Sequence, residues 1–170
     1  MDAKIVNFDE ATFRLVPVKQ RTWVKKGSKP ALPFWFSNTK ANIFGALVDG
    51  QEMYYEWFEK LNADYFIQFI KNFVKTLDKN KKYVFIFDNA PAHKAKKSKE
   101  FLATLEDNIF IEFLPPYSPQ LNCIEICWRI VRHQVTSSNF FKTIQILKQG
   151  IDQFLGGYNF MLQSGNYLSR

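Results

Sequence analysis

Three acidic residues stand where their carboxylates could share a metal ion. Asp88 ends the apolar run 83–87, Asp9 follows the segment 4–8, and Glu125 follows a proline-rich segment. An ionised carboxylate at the tip of a buried strand is costly unless it meets a cation. Carboxylate oxygens are suitable ligands for Mg²⁺. Two such ions roughly 3.5–4 Å apart can activate the attacking oxygen and stabilise the leaving oxygen of an in-line phosphoryl displacement. We therefore predict that the three acids converge on divalent metal.

Each of these acids also has an ordinary structural interpretation. Asp9 alone is typical of a turn, and Glu125 alone is typical of a helix surface. Asp88 is the stronger candidate because it directly follows an apolar strand. Asp9 and Glu10 are neighbours on a predicted strand and should point to opposite faces, so we expect at most one of them in the site.

The two cysteines, Cys123 and Cys127, lie four residues apart on a predicted helix, where they are poorly placed for a disulfide. With His93 and His133 they form a nominal set of four zinc ligands, but the spacing matches no zinc-finger pattern. We interpret them as buried thiols.

The charge balance favours a polyanionic partner. The chain has 23 Lys and Arg against 16 Asp and Glu, which gives a net charge of +7. Basic residues cluster in an early loop, after Asp88 and around Glu125, and we predict that they contact the phosphates of a nucleic acid. A solvated lysine face, or contact with a second protomer, would explain the same pattern. The candidates are Arg21, Trp23, Lys25, Lys26, His93, Lys94, Lys96, Lys97, Arg129 and Arg132.

The composition indicates one globular domain. Of the 170 residues, 46% are hydrophobic and 17% aromatic, which excludes a disordered chain. The sequence contains neither a signal peptide nor an apolar run approaching the roughly 20 residues that span a membrane. We expect a soluble cytoplasmic protein without membrane partners.

Hydrophobic periodicity predicts the elements that must position the acids. Apolar alternation or continuity predicts strands over residues 4–9, 12–16, 42–48, 83–87 and 109–113, the first two joined by a tight turn. Residues 53–57 are a candidate for a further short strand after 42–48. Helical spacing predicts helices over residues 63–77, 94–105, 122–135 and 143–154, the first capped by Asn62.

This order of elements predicts an α/β fold. Its mixed five-stranded sheet would have three antiparallel strands followed by two parallel strands, with helices on its faces. Asp9 and Asp88 emerge side by side only if strand 83–87 lies parallel to the first strand.

Three blocks of sequence carry a resemblance to a known family. They are Phe8-Asp9-Glu10 with Phe13, Leu15, Pro17, Arg21, Trp23, Lys26, Gly27 and Pro30; Asp88-Asn-Ala-Pro-Ala-His93; and Leu114-Pro-Pro-Tyr-Ser-Pro-Gln-Leu-Asn-Cys-Ile-Glu125 with Trp128. They resemble the catalytic domain of mariner-like DDE transposases, most closely the bacterial insertion-sequence branch. The resemblance covers most of residues 5–135, and the last block is highly specific.

The resemblance implies a ribonuclease-H-like fold in which Asp9, Asp88 and Glu125 form the catalytic, metal-binding triad for two Mg²⁺ or Mn²⁺ ions. It implies cleavage of DNA at transposon ends and attack of the freed 3′-hydroxyl on target DNA, commonly at a TA dinucleotide. It also implies a homodimer on DNA, and an upstream region or separate protein that recognises the ends.

The sequence departs from the family pattern in two respects. Cys123 stands where the family usually has proline, and since both residues fit the first turn of a helix we expect only a local effect. The chain also begins just before the first catalytic strand, so we expect the family's N-terminal helix-turn-helix to be absent. We assign residues 1–155 to the catalytic domain and 156–170 to a C-terminal tail. Either a catalytic fragment or the second reading frame of a split gene would explain this extent.

Two functions of different classes fit these observations. The first is a DNA nuclease and strand transferase that uses the three acids. The second is a catalytically silent module that binds DNA, or co-assembles with a full-length transposase, and regulates it. Retention of all three acids favours the first.

Overall fold

The sheet of this protein is built around its first strand. The computed structural model describes residues 3–15, 25–28, 37–116, 118–137 and 139–162. Within them the strands are β1 (Lys4–Arg14), β2 (Lys40–Val48), β3 (Glu52–Phe58), β4 (Tyr83–Phe87) and β5 (Ile109–Phe113). Their order is β3-β2-β1-β4-β5, with β1, β2 and β3 antiparallel and β4 and β5 parallel to β1. The predicted mixed five-stranded α/β sheet is confirmed.

One part of the strand prediction is wrong. Residues 4–9 and 12–16 do not form a hairpin, because Glu10 and Ala11 stay in the ladder opposite Phe44 and Ile43. The segment contains no Gly or Pro that would break it. As a result β1 is one long strand that pairs with β2 on one side and β4 on the other.

The helices are α1 (Ala63–Val74), α2 (Pro91–Lys94), α3 (Lys96–Leu102), α4 (Ile124–Val131) and α5 (Ile144–Gly157). Asn62 caps α1 as predicted, its side chain accepting a hydrogen bond from the Tyr65 amide at 3.0 Å. The helix predicted over 94–105 is instead two short helices. They are separated by Ala95, whose ψ of 142° is extended.

Two ends of the helical prediction also differ. The helix predicted over 122–135 ends at Val131 and continues as a π-helical turn, Arg132–Thr136. The last helix, predicted to end at residue 154, continues to Gly157, and Phe160 beyond it is buried in the core. Leu162 also donates a backbone hydrogen bond to Gly50, so the described part of the tail is packed against the domain.

Each face of the sheet carries its own apolar core. One face packs phenylalanines of β1, β2, β4 and α1: Phe8, Phe44, Phe66, Phe69, Phe73, Phe85 and Phe87. The other face packs α4 and α5 through Ile124, Cys127, Trp128, Val131, Leu147 and Ile151. The prediction of buried thiols is confirmed, since both cysteines are free and buried. Within the described ranges, none of the helices combines the length and hydropathy needed to cross a bilayer.

Candidate active site

The parallel pairing of β1 and β4 brings two of the predicted acids to one edge of the sheet. The register pairs Val6 with Phe85 and Asn7 with Ile86. Extending it by two residues sets Asp9 beside Asp88, which directly follows β4. The charge of Asp88 acts on Asp9 and raises its pKa, so the two carboxyl groups lie within electrostatic reach.

The third acid, Glu125, lies in the first turn of α4, and hydrogen bonds to β1 dock the start of that helix. The buried Asn122 amide donates to the Phe8 carbonyl at 2.9 Å. The Cys123 thiol donates to Asn7 Oδ1 at 3.0 Å. Because these partners immediately precede Asp9 in β1, the same strand that carries one acid also positions the helix that carries another.

Trp128 fixes the direction of α4 by packing on a glycine. It lies one turn after Glu125, is 1% exposed and belongs to the core beneath the helix. Gly45, opposite Asp9 in the ladder, is the residue under its ring. A Cβ at Gly45 would lie 2.5 Å from Trp128 Cζ2 and 3.1 Å from Ile124 Cδ1, so only glycine leaves room for this close approach.

The carboxylate of Asp88 is held from one side. The Ala90 amide donates to its Oδ1 at 3.0 Å, and His93 Nδ1 lies 2.7 Å from the same oxygen. Partial burial by itself would raise the pKa of Asp88, but the hydrogen bonds from His93 and Ala90 outweigh it and lower the pKa. Asp88 is therefore ionised throughout the neutral range.

His93 is buried between two acids, which leaves its ring almost no surface for the predicted DNA contact. Its side chain is 1% exposed, with Nε2 3.3 Å from Glu10 Oε2 on the side away from Asp88. Burial disfavours the charged ring, but the hydrogen bond to Asp88 and the close carboxylate of Glu10 raise the pKa of His93 to about 9. The sequence did not predict a role for Glu10 at this site, because its side chain points to the face of the sheet opposite Asp9. The sequence does contain a signal for this contact, the five-residue spacing from Asp88 to His93. The chain turns into α2 between them, and the ring of His93 comes back against Asp88.

The acids destabilise one another's charge. Burial first and the charge of Glu10 second raise the pKa of Asp9 to about 8, against a lowering by a backbone hydrogen bond; the charges of Asp88 and then Glu125 add smaller increases. Burial and Asp88 also raise the pKa of Glu125, while Arg132 and Arg129 oppose the shift. A cation among these groups would relieve both effects.

The donor set fits a divalent metal in chemistry but is not closed around one. Three carboxylates that repel each other are a suitable oxygen donor set for Mg²⁺ or Mn²⁺. As the side chains stand, the described residues contain no group of three His, Cys, Asp or Glu close enough together to hold an ion. Binding therefore requires the carboxylates to turn toward a shared centre.

A cleft of about 440 Å³ opens between Asp88 and Glu125. Asn89 braces its wall by donating to the Leu114 carbonyl at 2.7 Å. The remaining lining is short or apolar: Ala90, Pro115, Pro116 and Ser118. The cleft gives an extended substrate access to the acids.

The predicted DNA-contact residues separate into distinct groups. Arg129 and Arg132 are exposed, and their charges act on Glu125, so they border the candidate site. Exposed Lys96 and Lys97 pair with Glu100 and Asp64. Lys25, Lys26 and Lys94 are also exposed. Arg21 and Trp23 lie outside the described residues.

The strand order, with Asp9 within β1 beside Asp88 at the end of β4, defines a ribonuclease-H-like α/β domain, which confirms the predicted fold class. The DDE superfamily endonuclease family matches this sequence over residues 4–148, and the chain belongs to that family. A 68-residue segment is 37% identical to the uncharacterized protein y4pE/y4sA of Sinorhizobium fredii (strain NBRC 101917 / NGR234), covering 40% of this chain and 47% of that protein.

Solved structures share the fold. The Mos1 mariner paired-end complex with Mn has a TM-score of 0.76 at 21% identity, over 97% of this chain and 52% of that one. The Mos1 strand transfer complex has a TM-score of 0.68 at 25% identity, over 91% and 47%. The catalytic domain of Mos1 mariner transposase has a TM-score of 0.67 at 20% identity, over 91% and 70%. The chain spans about half the length of the S. fredii relative and of the transposase chains in those two complexes.

Proposed function

We propose that this chain is the catalytic domain of a transposase, and that it hydrolyses DNA phosphodiester bonds with divalent metal. Asp9, Asp88 and Glu125 would hold two Mg²⁺ or Mn²⁺ ions. When bound, such a pair activates the attacking oxygen and stabilises the leaving oxygen. The role of the chain would be to bring together three carboxylates from three separate elements, of which Asp88 and Glu125 line the cleft and Asp9 lies beside Asp88 in the sheet.

The observation that carries this proposal is the placement of the acids: the register of β1 and β4 sets Asp9 beside Asp88, and Asp88 and Glu125 line the same cleft. Asp88 and Glu125 both raise the pKa of Asp9, and Asp88 raises that of Glu125. Uncompensated crowding of like charge is costly to the fold, and such sites are commonly functional. Mos1 relatives of this fold were solved with Mn and with Mg, which supports the choice of metal.

The DNA partners follow from the same relatives. Mos1 structures include a paired-end complex with a transposon end and a strand transfer complex. We infer that this chain cleaves transposon ends and joins the 3′-hydroxyl to target DNA as a homodimer, with Arg129 and Arg132 contacting phosphates. End recognition would come from an upstream region or a separate protein. In the cell the domain would act at the nucleoid, and the bacterial insertion-sequence branch remains our prediction for its subfamily.

A plasmid assay tests the proposal. Supercoiled DNA is incubated with the chain and Mg²⁺ or Mn²⁺, and the nicked form is quantified over time. Asp88→Asn keeps the shape of the side chain and should lower the rate at least about 100-fold, the upper range for loss of a residue that supports a metal site. The matched control is Asp107→Asn at an exposed position away from the cleft, which should retain the wild-type rate.

Equal nicking by wild type and Asp88→Asn would refute the catalytic proposal. DNA binding without nicking in either metal would support the second candidate, a silent regulatory module. One observation favours this alternative: in the described residues the acids are not close enough together to bind a metal ion as they stand.

A further inference from the structure

We propose that Glu10 and His93 are positioning residues that hold Asp88 so that its Oδ2 is the oxygen offered to metal. This inference deepens the proposed function and rests on it, because it takes Asp88 as a metal ligand. It assigns a role to an acid that faces away from the other three, and to a histidine that is too buried to reach DNA.

The hydrogen bonds of Asp88 are one-sided. His93 Nδ1 and the Ala90 amide both meet Oδ1, at 2.7 and 3.0 Å. Within the described part of the chain, no hydrogen bond ends on Oδ2. A carboxylate with one oxygen held by two donors has little freedom to rotate, so the other oxygen has a defined direction.

The ring of His93 is held in turn. It packs against Phe66 and Phe87, with ring centroids 4.5 and 5.5 Å away. Its Nε2 lies 3.3 Å from Glu10 Oε2, an ion-pair contact that is not a well-directed hydrogen bond. Glu10 Oε2 and His93 Nε2 are both buried, and neither has a hydrogen-bond partner among the described residues. The contact between them is therefore the interaction that compensates for the burial of both groups. Rotation of the ring would separate them.

The contact between Glu10 and His93 links β1 to the segment that follows β4. Glu10 follows Asp9 in β1 and faces the opposite side of the sheet, where His93 returns under β4. Through His93, β1 therefore supports the carboxylate of Asp88 as well as supplying Asp9. The relative placement of two proposed ligands is set by a buried polar contact in addition to the ladder.

Two amide substitutions separate the contacts of His93. The Asn amide nitrogen falls near the position of Nδ1, whereas the Gln amide nitrogen falls near that of Nε2. His93→Asn should keep the bond to Asp88, and His93→Gln should keep only the contact with Glu10. Mn²⁺ binding to the metal-free full chain is measured by the electron paramagnetic resonance signal of free Mn²⁺, and folding by thermal denaturation in EDTA.

We expect His93→Gln to bind Mn²⁺ about 10- to 100-fold more weakly than wild type, the range for loss of a residue that orients a ligand. His93→Asn should stay within a few-fold of wild type, even if both variants lose similar thermal stability. Glu10→Gln, which keeps the bond to Asp88, should fall between them.

Equal Mn²⁺ affinity of His93→Asn and His93→Gln would overturn the positioning role of His93, and wild-type affinity of Glu10→Gln would overturn that of Glu10. Failure of wild type itself to bind Mn²⁺ would overturn the proposed function, and this inference with it. If His93→Gln does not fold, Glu10→Gln alone decides whether the contact supports metal binding.

Discussion

Gly45→Ala should destabilise this domain although alanine is normally the better residue in a strand. In an open strand interior, alanine would gain about 0.5–1 kcal/mol over glycine. At Gly45 the new methyl group would lie 2.5 and 2.9 Å from two ring carbons of Trp128. The indole is fully buried, so it cannot swing into solvent and α4 must shift away from the sheet.

The expected cost combines these two effects. Overpacking a well-filled core costs about 1–3 kcal/mol, which exceeds the intrinsic gain of alanine. We expect a net loss of about 1–2 kcal/mol, and a melting temperature lower by roughly 2–8 °C for a domain of this size. Nicking should also slow, because Glu125 is one turn before Trp128 on the helix that moves.

A double-mutant cycle tests the reasoning. Trp128→Phe removes the two ring carbons that the methyl would meet, so the pair Gly45→Ala/Trp128→Phe should be more stable than the sum of its single variants by about 0.5–3 kcal/mol, measured by urea unfolding. Gly156→Ala is the matched control, because its Cβ would meet nothing within 4 Å. That control should be neutral or slightly stabilising. Additivity in the cycle, or a Gly45→Ala protein as stable as wild type, would refute this account of α4.

Three further outcomes follow from the site. Because the pKa of Asp9 is raised from 3.8 to about 8, the folded chain binds a proton there that the unfolded chain has lost, so the metal-free protein should become less stable as pH rises from 4 to 8. Thermal denaturation in EDTA at several pH values measures this loss of stability. Asp9→Asn should make the melting temperature depend less on pH. A melting temperature that rises with pH would contradict the prediction. Cys123→Pro should change the free energy of unfolding, measured in urea, by less than about 1.5 kcal/mol, because Cys123 already has a φ of −64°, close to that of proline. A larger loss would show that the hydrogen bond from the Cys123 thiol to Asn7 contributes more than the backbone conformation at the start of α4. Arg129→Gln should reduce the slope of log affinity against log salt by about 1 for an arbitrary duplex followed by fluorescence anisotropy, whereas Lys79→Gln, at the opposite end of β4, should leave the slope unchanged. Tight binding to a single sequence at physiological salt would contradict backbone-dominated recognition.

Local sequence pattern predicted the buried strands well. β4 and β5 have the bounds that their apolar runs predicted, because each run is flanked by residues that favour loops and turns. The α1 cap at Asn62 was readable for the same reason, since its hydrogen bond is made within four residues. Such features depend on neighbours in the chain, and the chain displays them directly.

Pattern failed where a distant partner decides the outcome. Polar Glu10 resembles a turn residue in sequence, yet it remains in β1 because β2 pairs with it and His93 meets its side chain. Neither the pairing with β2 nor the contact with His93 leaves a pattern in the residues around Glu10. The break at Ala95 in the helix predicted over 94–105 is a separate case, because the buried Ser98 beside it bonds to the Ala92 carbonyl only six residues earlier, at 2.6 Å.

By itself the sequence determined that Asp88 directly follows a buried strand, and that a basic, phenylalanine-rich chain would fold as an α/β sheet. Only the tertiary structure decided which face each acid serves, how Trp128 seats α4 over Gly45, and that His93 supports Asp88 from below. The physical reason is that strand pairing and side-chain packing join residues more than 30 positions apart, and a carboxylate acquires its direction and its pKa from those neighbours.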